Sequence, residues 1–215
     1  MILRRISQLH CIRLVGMQRN KKAILLSGGM DSIALAYWLR PEIVITLDYG
    51  QRAAESEIKA AAKVAEVLGM EHYVISVDCS SLGSGDLVGT APLGDAPITE
   101  WWPYRNQMLV TLALMKAIQL GVCELMVGSV KTDAQHSDGT REFYEHLSKV
   151  VEMQEGGIKV TVPAIGMTTV ELVKKAGVPE GLLMYAHSCH TGNVPCGRCH
   201  GCCKYMYVKE QLGIL

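Results

Sequence analysis

Ala23-Ile24-Leu25-Leu26-Ser27-Gly28-Gly29-Met30-Asp31-Ser32 is the stretch whose reading decides the fold. Four apolar residues predict a buried strand, the glycine pair a tight turn, and Ile33 to Leu39 a helix. A strand that turns sharply into a helix aims backbone N–H groups at the space above the turn, with the positive end of the helix dipole behind them. Ser27 and Ser32 add two hydroxyls. Such a turn suits a bound anion, a phosphate above all. The plainer alternative is a structural turn in which glycine relieves strain and Ser32 caps the helix.

The residue types narrow the ligand. The loop has no G-x-x-x-x-G-K-[ST], hence no lysine for a β/γ-phosphate, and no G-x-G-x-x-G. Its S-G-G-x-D-S resembles the signature of the PP-loop pyrophosphatases, which grip the pyrophosphate end of ATP and leave the α-phosphorus open to attack. That resemblance implies ATP binding at Ser27, Gly28, Gly29, Asp31 and Ser32, with Asp31 helping to hold Mg²⁺ on the phosphates.

Outward from the loop, strands and helices alternate: Ile43 to Asp48, His72 to Asp78, Cys123 to Val130 and Ile158 to Pro163 as strands, and Ala53 to Leu68, Asn106 to Leu120, Arg141 to Gln154 and Val170 to Ala176 as helices. This is the pattern of an α/β fold with a doubly wound, mostly parallel sheet. Ser80 to Glu100 is a Gly, Pro and Ser-rich loop without periodicity, of a length that goes with function or disorder. In such sheets ligands sit at the carboxyl ends of the strands. The polar clusters Ser27 to Ser32, Asp48 to Arg52 and Ser129 to Asp133 all follow strands and are expected to converge on one crevice. Taken singly, Asp48 and Arg52 read as a solvated turn and a helix-end ion pair.

With 215 residues, 49% apolar, the chain can bury one sizeable core. Lys plus Arg and Asp plus Glu are 21 each, a zero net charge that offers no basic footprint for nucleic acid. No apolar run approaches the roughly 18 residues that span a membrane. Arg4 and Arg5 precede no signal-like apolar core, so a cytoplasmic protein is expected. The first strand starts near Lys22, which divides the chain into an extension (residues 1–20), a nucleotide-binding domain (21–186) and a C-terminal segment (187–215). The extension is either what precedes an alternative start at Met17 or an arm for self-association, with a homodimer as the expected assembly.

Cys189, Cys196, Cys199 and Cys202 offer four soft ligands at a spacing that suits a closed, structural Zn²⁺ site. Disulfides are disfavoured in the cytoplasm, and an iron–sulfur site is the competing metal reading. His187, His190 and His200 lie near enough to replace one sulfur, although loop histidines are more often free. Cys11, Cys79 and Cys123 read as thiols without a role.

The order of motifs resembles the 7-cyano-7-deazaguanine synthases. The matching stretches are Ser27 to Ser32, Asp48-Tyr49-Gly50-Gln51-Arg52, Pro103-Tyr104-Arg105-Asn106, Thr132-Asp133 with Arg141-Glu142-Phe143, and the four-cysteine tail after Ser188. The resemblance implies adenylation of 7-carboxy-7-deazaguanine by ATP, displacement of AMP by ammonia, then a second activation and dehydration to the nitrile. It implies Asp31, Ser32 and Arg105 as catalytic residues, and Asp48 beside the loop in the ATP site. Tyr49, Gln51, Arg52, Asp133, Asp138, Arg141 and Phe143 are the substrate-binding candidates, with Tyr49, Phe143 and Asp138 against a planar base. The plainer reading makes Phe143 core and Asp138 the cap of the helix near Arg141.

Two departures from the family pattern stand out. His136-Ser137-Asp138-Gly139-Thr140 is shorter than the family's segment and lacks its Tyr-Pro and Cys, and Thr169 stands where a lysine is usual, Glu171 being kept. Lys131 is the candidate to restore that charge. Three functions are therefore weighed: a nitrile- or amide-forming synthase; a relative that joins the activated deazaguanine to another amine, such as one on a protein; and a non-catalytic module on an old ATP site. A PP-loop tRNA thiolase would want a persulfide cysteine or an iron–sulfur cluster and a basic RNA face.

Overall fold

The computed structural model describes residues 20–214. The expected N-terminal arm, apart from residue 20, lies outside the described residues, as does Cys11. Five strands, β1 (Lys21–Leu25), β2 (Ile43–Asp48), β3 (Glu71–Ser76), β4 (Val122–Met126) and β5 (Lys159–Thr161), form one sheet in the order β3-β2-β1-β4-β5. Every pairing is parallel. The expected fold class holds.

Side-chain alternation along the strands builds the two faces. From β1 and the residue after it, Ile24 and Leu26 enter one core with α1 (Met30–Leu39), α2 (Ala54–Leu68), α5 (Thr169–Ala176) and α6 (Glu180–Leu183). Ala23 and Leu25 point the other way, against α3 (Arg105–Gln119) and α4 (Arg141–Glu152). With both faces covered, β2 is apolar and buried along almost its whole length. Helix ends follow local chemistry. Gly69 and Gly177 close α2 and α5 in left-handed conformations, and Thr140 caps α4 by accepting from Phe143 N–H at 3.2 Å.

Two segments differ from the sequence reading. Residues 80–100 contain two short 3₁₀ turns, Ser80–Leu82 and Gly85–Leu87, and fold onto a satellite core of Leu47, Tyr49, Leu87 and Trp102. Tyr49 and Trp102 meet edge to face at 4.9 Å. The C-terminal segment carries a further helix, α7 (His200–Leu212), which packs along α5 with Val208 buried. Its weak amphipathicity, with lysines and tyrosines interspersed, hides it from periodicity. Among the described residues no helix is long and apolar enough to cross a membrane.

Candidate active site and metal centre

Strand order reverses between β1 and β4, and there the cavity opens. Ser27 to Gly29 form the turn between β1 and α1. Gly28 takes φ +77°, and a Cβ there would lie 2.7 Å from Glu57 O and 2.9 Å from Ala60 Cβ, so only glycine lets the loop press against α2. Ser32 does not cap α1. Its Oγ donates to Gly29 O at 2.9 Å and lies 3.2 Å from Ser27 Oγ, while Gly29 takes the cap position without a side-chain bond. The expectation of a capping Ser32 fails because the helix starts two residues earlier, at Met30, which puts both hydroxyls on the cavity side.

The cavity holds about 310 Å³, with a second lobe of about 160 Å³ sharing the loop wall. That is room for a nucleotide-sized ligand. Ser27, Gly29, Asp31 and Ser32 form its floor, and Gly128, Ser129 and Asp133 its β4 side. Arg105 enters from the start of α3. The preceding Tyr104 is left-handed at φ +57°, a costly conformation for a non-glycine residue that turns the chain into the cavity. Burial pushes the Tyr49 hydroxyl well above its ordinary value, so the phenol beside Arg105 stays protonated.

Acids dominate the walls. Burial lifts Glu57 to about 7 against the hydrogen bond that Gln51 Nε2 donates to it at 2.8 Å. Glu100 is 5% exposed and accepts from His200 Nδ1 at 2.6 Å; burial raises its carboxyl, but that bond, a backbone hydrogen bond and the nearby His190 and His200 together outweigh burial and hold it below the ordinary range. Asp133 is raised by burial, and its Oδ2 accepts from Val130 N–H at 3.0 Å. Between Asp31 and Asp133 stands Lys204, from α7: Nζ donates to Asp31 Oδ2 at 2.9 Å and lies 3.7 Å from Asp133 Oδ1. Burial alone would lower this lysine, but the two carboxylates outweigh it and hold it charged.

Beside α7 the sulfurs of Cys189, Cys196, Cys199 and Cys202 all lie within 4.8 Å of one another. Two pairs measure 4.0 Å (Cys189 to Cys199) and 3.9 Å (Cys196 to Cys202). Four thiolates placed tetrahedrally at about 2.3 Å from one Zn²⁺ stand about 3.8 Å apart, so the cluster has the size of a single-ion site. All four are free thiols. Cys196 accepts from Cys199 N–H at 3.3 Å, and Cys199 accepts from His190 N–H and Cys202 N–H, each at 3.4 Å. Such N–H donors stabilise thiolate charge around a metal. His187 Nε2 pairs with Gly192 O and His200 with Glu100, leaving the ligand set to the sulfurs.

The model of the queuosine biosynthesis protein QueC family matches residues 21–206. The chain belongs to the QueC family. A protein named 7-cyano-7-deazaguanine synthase from Methanosarcina mazei is 31% identical over 90% of this chain and 95% of its own. Another of that name, from Methanothermobacter thermautotrophicus, is 31% identical over 88% of this chain and 94% of its own. Among solved structures, an NMN synthetase from Francisella tularensis aligns over 91% of this chain and 73% of its own, with TM-score 0.46 and 16% identity, too distant to inform function.

Against this QueC frame, the sequence-derived candidates sort by position. Ser27, Gly29, Asp31, Ser32, Tyr49, Arg105 and Asp133 line the cavity together, and Gly28 shapes the loop behind them. Gln51 lies behind the wall: its Oε1 accepts from Tyr49 N–H and its Nε2 donates to Leu47 O and Glu57. Asp48 folds onto its own turn, accepting from Gly50 N–H, and Arg52 packs beside Gly89. Asp138 accepts from Asn106 N–H at 3.2 Å, so it serves the start of α3 and not that of α4. Phe143 packs into the core against Tyr144, and it is Tyr144, one position on around the helix, that lines the cavity. Arg141 lies near Gly166, outside the lining.

Thr169 is buried in the second lobe, beside Ser27, Asp31 and Lys204. Lys131 is exposed and outside both linings. Besides Tyr144, the cavity residues absent from the sequence candidates include Lys204, Glu57 and Glu100. For Lys204 a signal existed: two positions on from Cys202 along a helix is about 200° of rotation, the face opposite the sulfur cluster.

Proposed function

We propose that this protein is an ATP-dependent carbon–nitrogen ligase that adenylates 7-carboxy-7-deazaguanine and, with ammonia, carries it through the amide to the nitrile preQ0. The observation that supports this reading most is the junction of a Ser-Gly-Gly-x-Asp-Ser loop with Arg105 in one cavity at the sheet's switch point, within a QueC-family chain.

The substrate carboxylate attacks the α-phosphorus of ATP, forming the acyl–O–AMP bond and releasing pyrophosphate. The loop N–H groups and the Ser27 and Ser32 hydroxyls hold that pyrophosphate, and Asp31, whose Oδ1 is buried without a partner, would hold a Mg²⁺ accompanying the nucleotide, which would neutralise phosphate charge. Arg105 offsets charge growing between carboxylate and phosphate. Ammonia then displaces AMP from the acyl carbon and loses a proton. The amide oxygen then attacks the α-phosphorus of a second ATP, releasing a second pyrophosphate, and departure of AMP with loss of the two remaining N–H protons leaves the C≡N bond. Tyr49 and Tyr144 supply the flat apolar contacts a deazaguanine needs. Asp133 meets its polar edge, while Asp48 and Gln51, through Gly50 and Tyr49 N–H, and Arg52, whose N–H donates to Leu87 O, shape the wall that carries Tyr49. Cys189, Cys196, Cys199 and Cys202 would hold a Zn²⁺ that would serve as a structural tie. The cytoplasm, with its ATP supply, is the compartment this chemistry requires.

Incubation with ATP, Mg²⁺, 7-carboxy-7-deazaguanine and ammonium, followed by mass spectrometry, tests the reading. AMP, pyrophosphate and the nitrile mass are expected. ADP as the main nucleotide product overturns the adenylation mechanism, and a protein-conjugate mass in place of amide and nitrile overturns the choice of ammonia as acceptor.

A further inference from the structure

The cavity is short of positive charge for the ligand proposed above. Asp31, Glu57, Glu100 and Asp133 line it, against two permanent cations, Arg105 and Lys204. Arg105 lies beside Tyr49 and faces Glu57 and Asp138. Lys204 alone stands at the phosphate loop, bonded to Asp31, which begins the loop's helix one residue in.

Three buried polar atoms of this lobe lack a hydrogen-bond partner, His190 Nδ1, Asp31 Oδ1 and Thr169 Oγ1, and the last two sit with Lys204 at the loop. Thr169 is 3% exposed and lines the same lobe as Ser27, Asp31 and Lys204. Buried hydroxyls and carboxylates are ordinarily satisfied, and an orphaned donor beside an ammonium marks a place for an anion. A hydroxyl and a lysine on one side, facing loop N–H groups and two serines on the other, form a two-sided phosphate clamp.

The lysine is fixed by construction. Cys199 caps α7, accepting from Cys202 N–H, so two residues of the sulfur cluster pin the cap and the first turn of the helix. Gly201 seats that turn: a Cβ there would fall 1.8 Å from Ser188 O, so no other residue allows the approach. Cys202 faces the sulfur cluster and Lys204, about 200° further round, faces the loop.

We propose that Lys204 is the phosphate-binding cation of this site, a C-terminal residue that closes over the Ser27 to Ser32 loop and holds the β- and γ-phosphates of ATP together with Thr169. The inference rests on the ATP reading above. Asp31 would hold a Mg²⁺ accompanying the nucleotide, which would free the Lys204 ammonium from its ion pair to donate to the phosphates.

Calorimetric titration of the full-length, zinc-loaded protein with Mg²⁺–pyrophosphate, Mg²⁺–ATP and AMP tests this. Lys204→Met is expected to weaken pyrophosphate and ATP by about tenfold or more, the size of one charge-assisted contact, and AMP by less than about twofold. Lys204→Arg should recover most of the loss. Should Lys204→Met fail to keep its zinc, Lys204→Gln is judged by the same ratio of pyrophosphate to AMP affinity. If the lysine only neutralises Asp133, Lys204→Met/Asp133→Asn will regain pyrophosphate affinity, which overturns the proposal. So does an unchanged pyrophosphate affinity, or an equal loss for AMP. Failure of the parent reading looks different: the wild-type protein would then release ADP.

Discussion

The two walls of the cavity are built in opposite ways. The loop wall, Ser27 to Ser32, is six consecutive residues whose shape follows from a glycine at positive φ and a helix that starts on the spot. The opposite wall, with Lys204, His190 and His200, is drawn from the C-terminal segment and is held by four sulfurs and the packing of α7 on α5. The loop's shape is thus local, whereas the ammonium beside it is imported over 173 residues of chain. Damage to the first wall should cost chemistry and leave the fold, and damage to the second should cost fold and chemistry together.

Asp31→Ala gives the sharpest contrast. Turnover of ATP to AMP and pyrophosphate should fall about a thousandfold or more, as when a group on the developing charge is lost, with zinc content and the thermal midpoint retained. A comparable fall in the midpoint would break the distinction between the walls. For the second wall, Cys199→Ser should abolish stoichiometric zinc and lower stability by about 4 kcal/mol, the scale of a lost metal site. The purified wild-type protein should be colourless, with about one zinc per chain by elemental analysis. Iron and a brown colour would reassign the site.

A smaller effect belongs to Glu57, on the loop side. Its carboxyl is raised on folding from 4.5 to about 7, chiefly by burial. The folded chain therefore binds this proton more tightly than the unfolded one. Stability falls as pH rises from 4.5 to about 7 and is level above. Glu57→Gln should remove that slope and stabilise the ligand-free protein by about 2 kcal/mol at pH 8. Urea midpoints across this range check it, and parallel curves for the two proteins would contradict the assignment. The smallest effect tests an element outside both walls. Thr168 and Glu171 form a reciprocal cap on α5, and Thr168→Ala should cost about 1 kcal/mol in a denaturant titration, with no change in zinc content.

The candidates that lie outside the cavity lining do so for local geometric reasons. Phe143 and Asp138 stand in the right segment, but a helix turns about 100° per residue, so one step exchanges a core position for a cavity position. Tyr144 lines the cavity as a result. Arg52 and Asp48 follow the right strand, yet their turn folds back on itself through Gly50, and only Tyr49 faces inward. Glu57 is invisible in a sequence because an acidic first helical turn ordinarily reads as dipole compensation at a solvated helix start.

By itself the sequence determined the parallel α/β layering, the phosphate-type loop and the sulfur cluster. Each of these depends on short-range pattern: apolar runs between glycine stops, six contiguous loop residues, and cysteines within fourteen positions of one another. Tertiary structure alone decided what faces the loop. Whether Thr169, Glu100 and Lys204 meet Asp31 or solvent depends on how α5, the 80–100 segment and α7 pack, and burial and charge pairing at that meeting are sums over the whole fold.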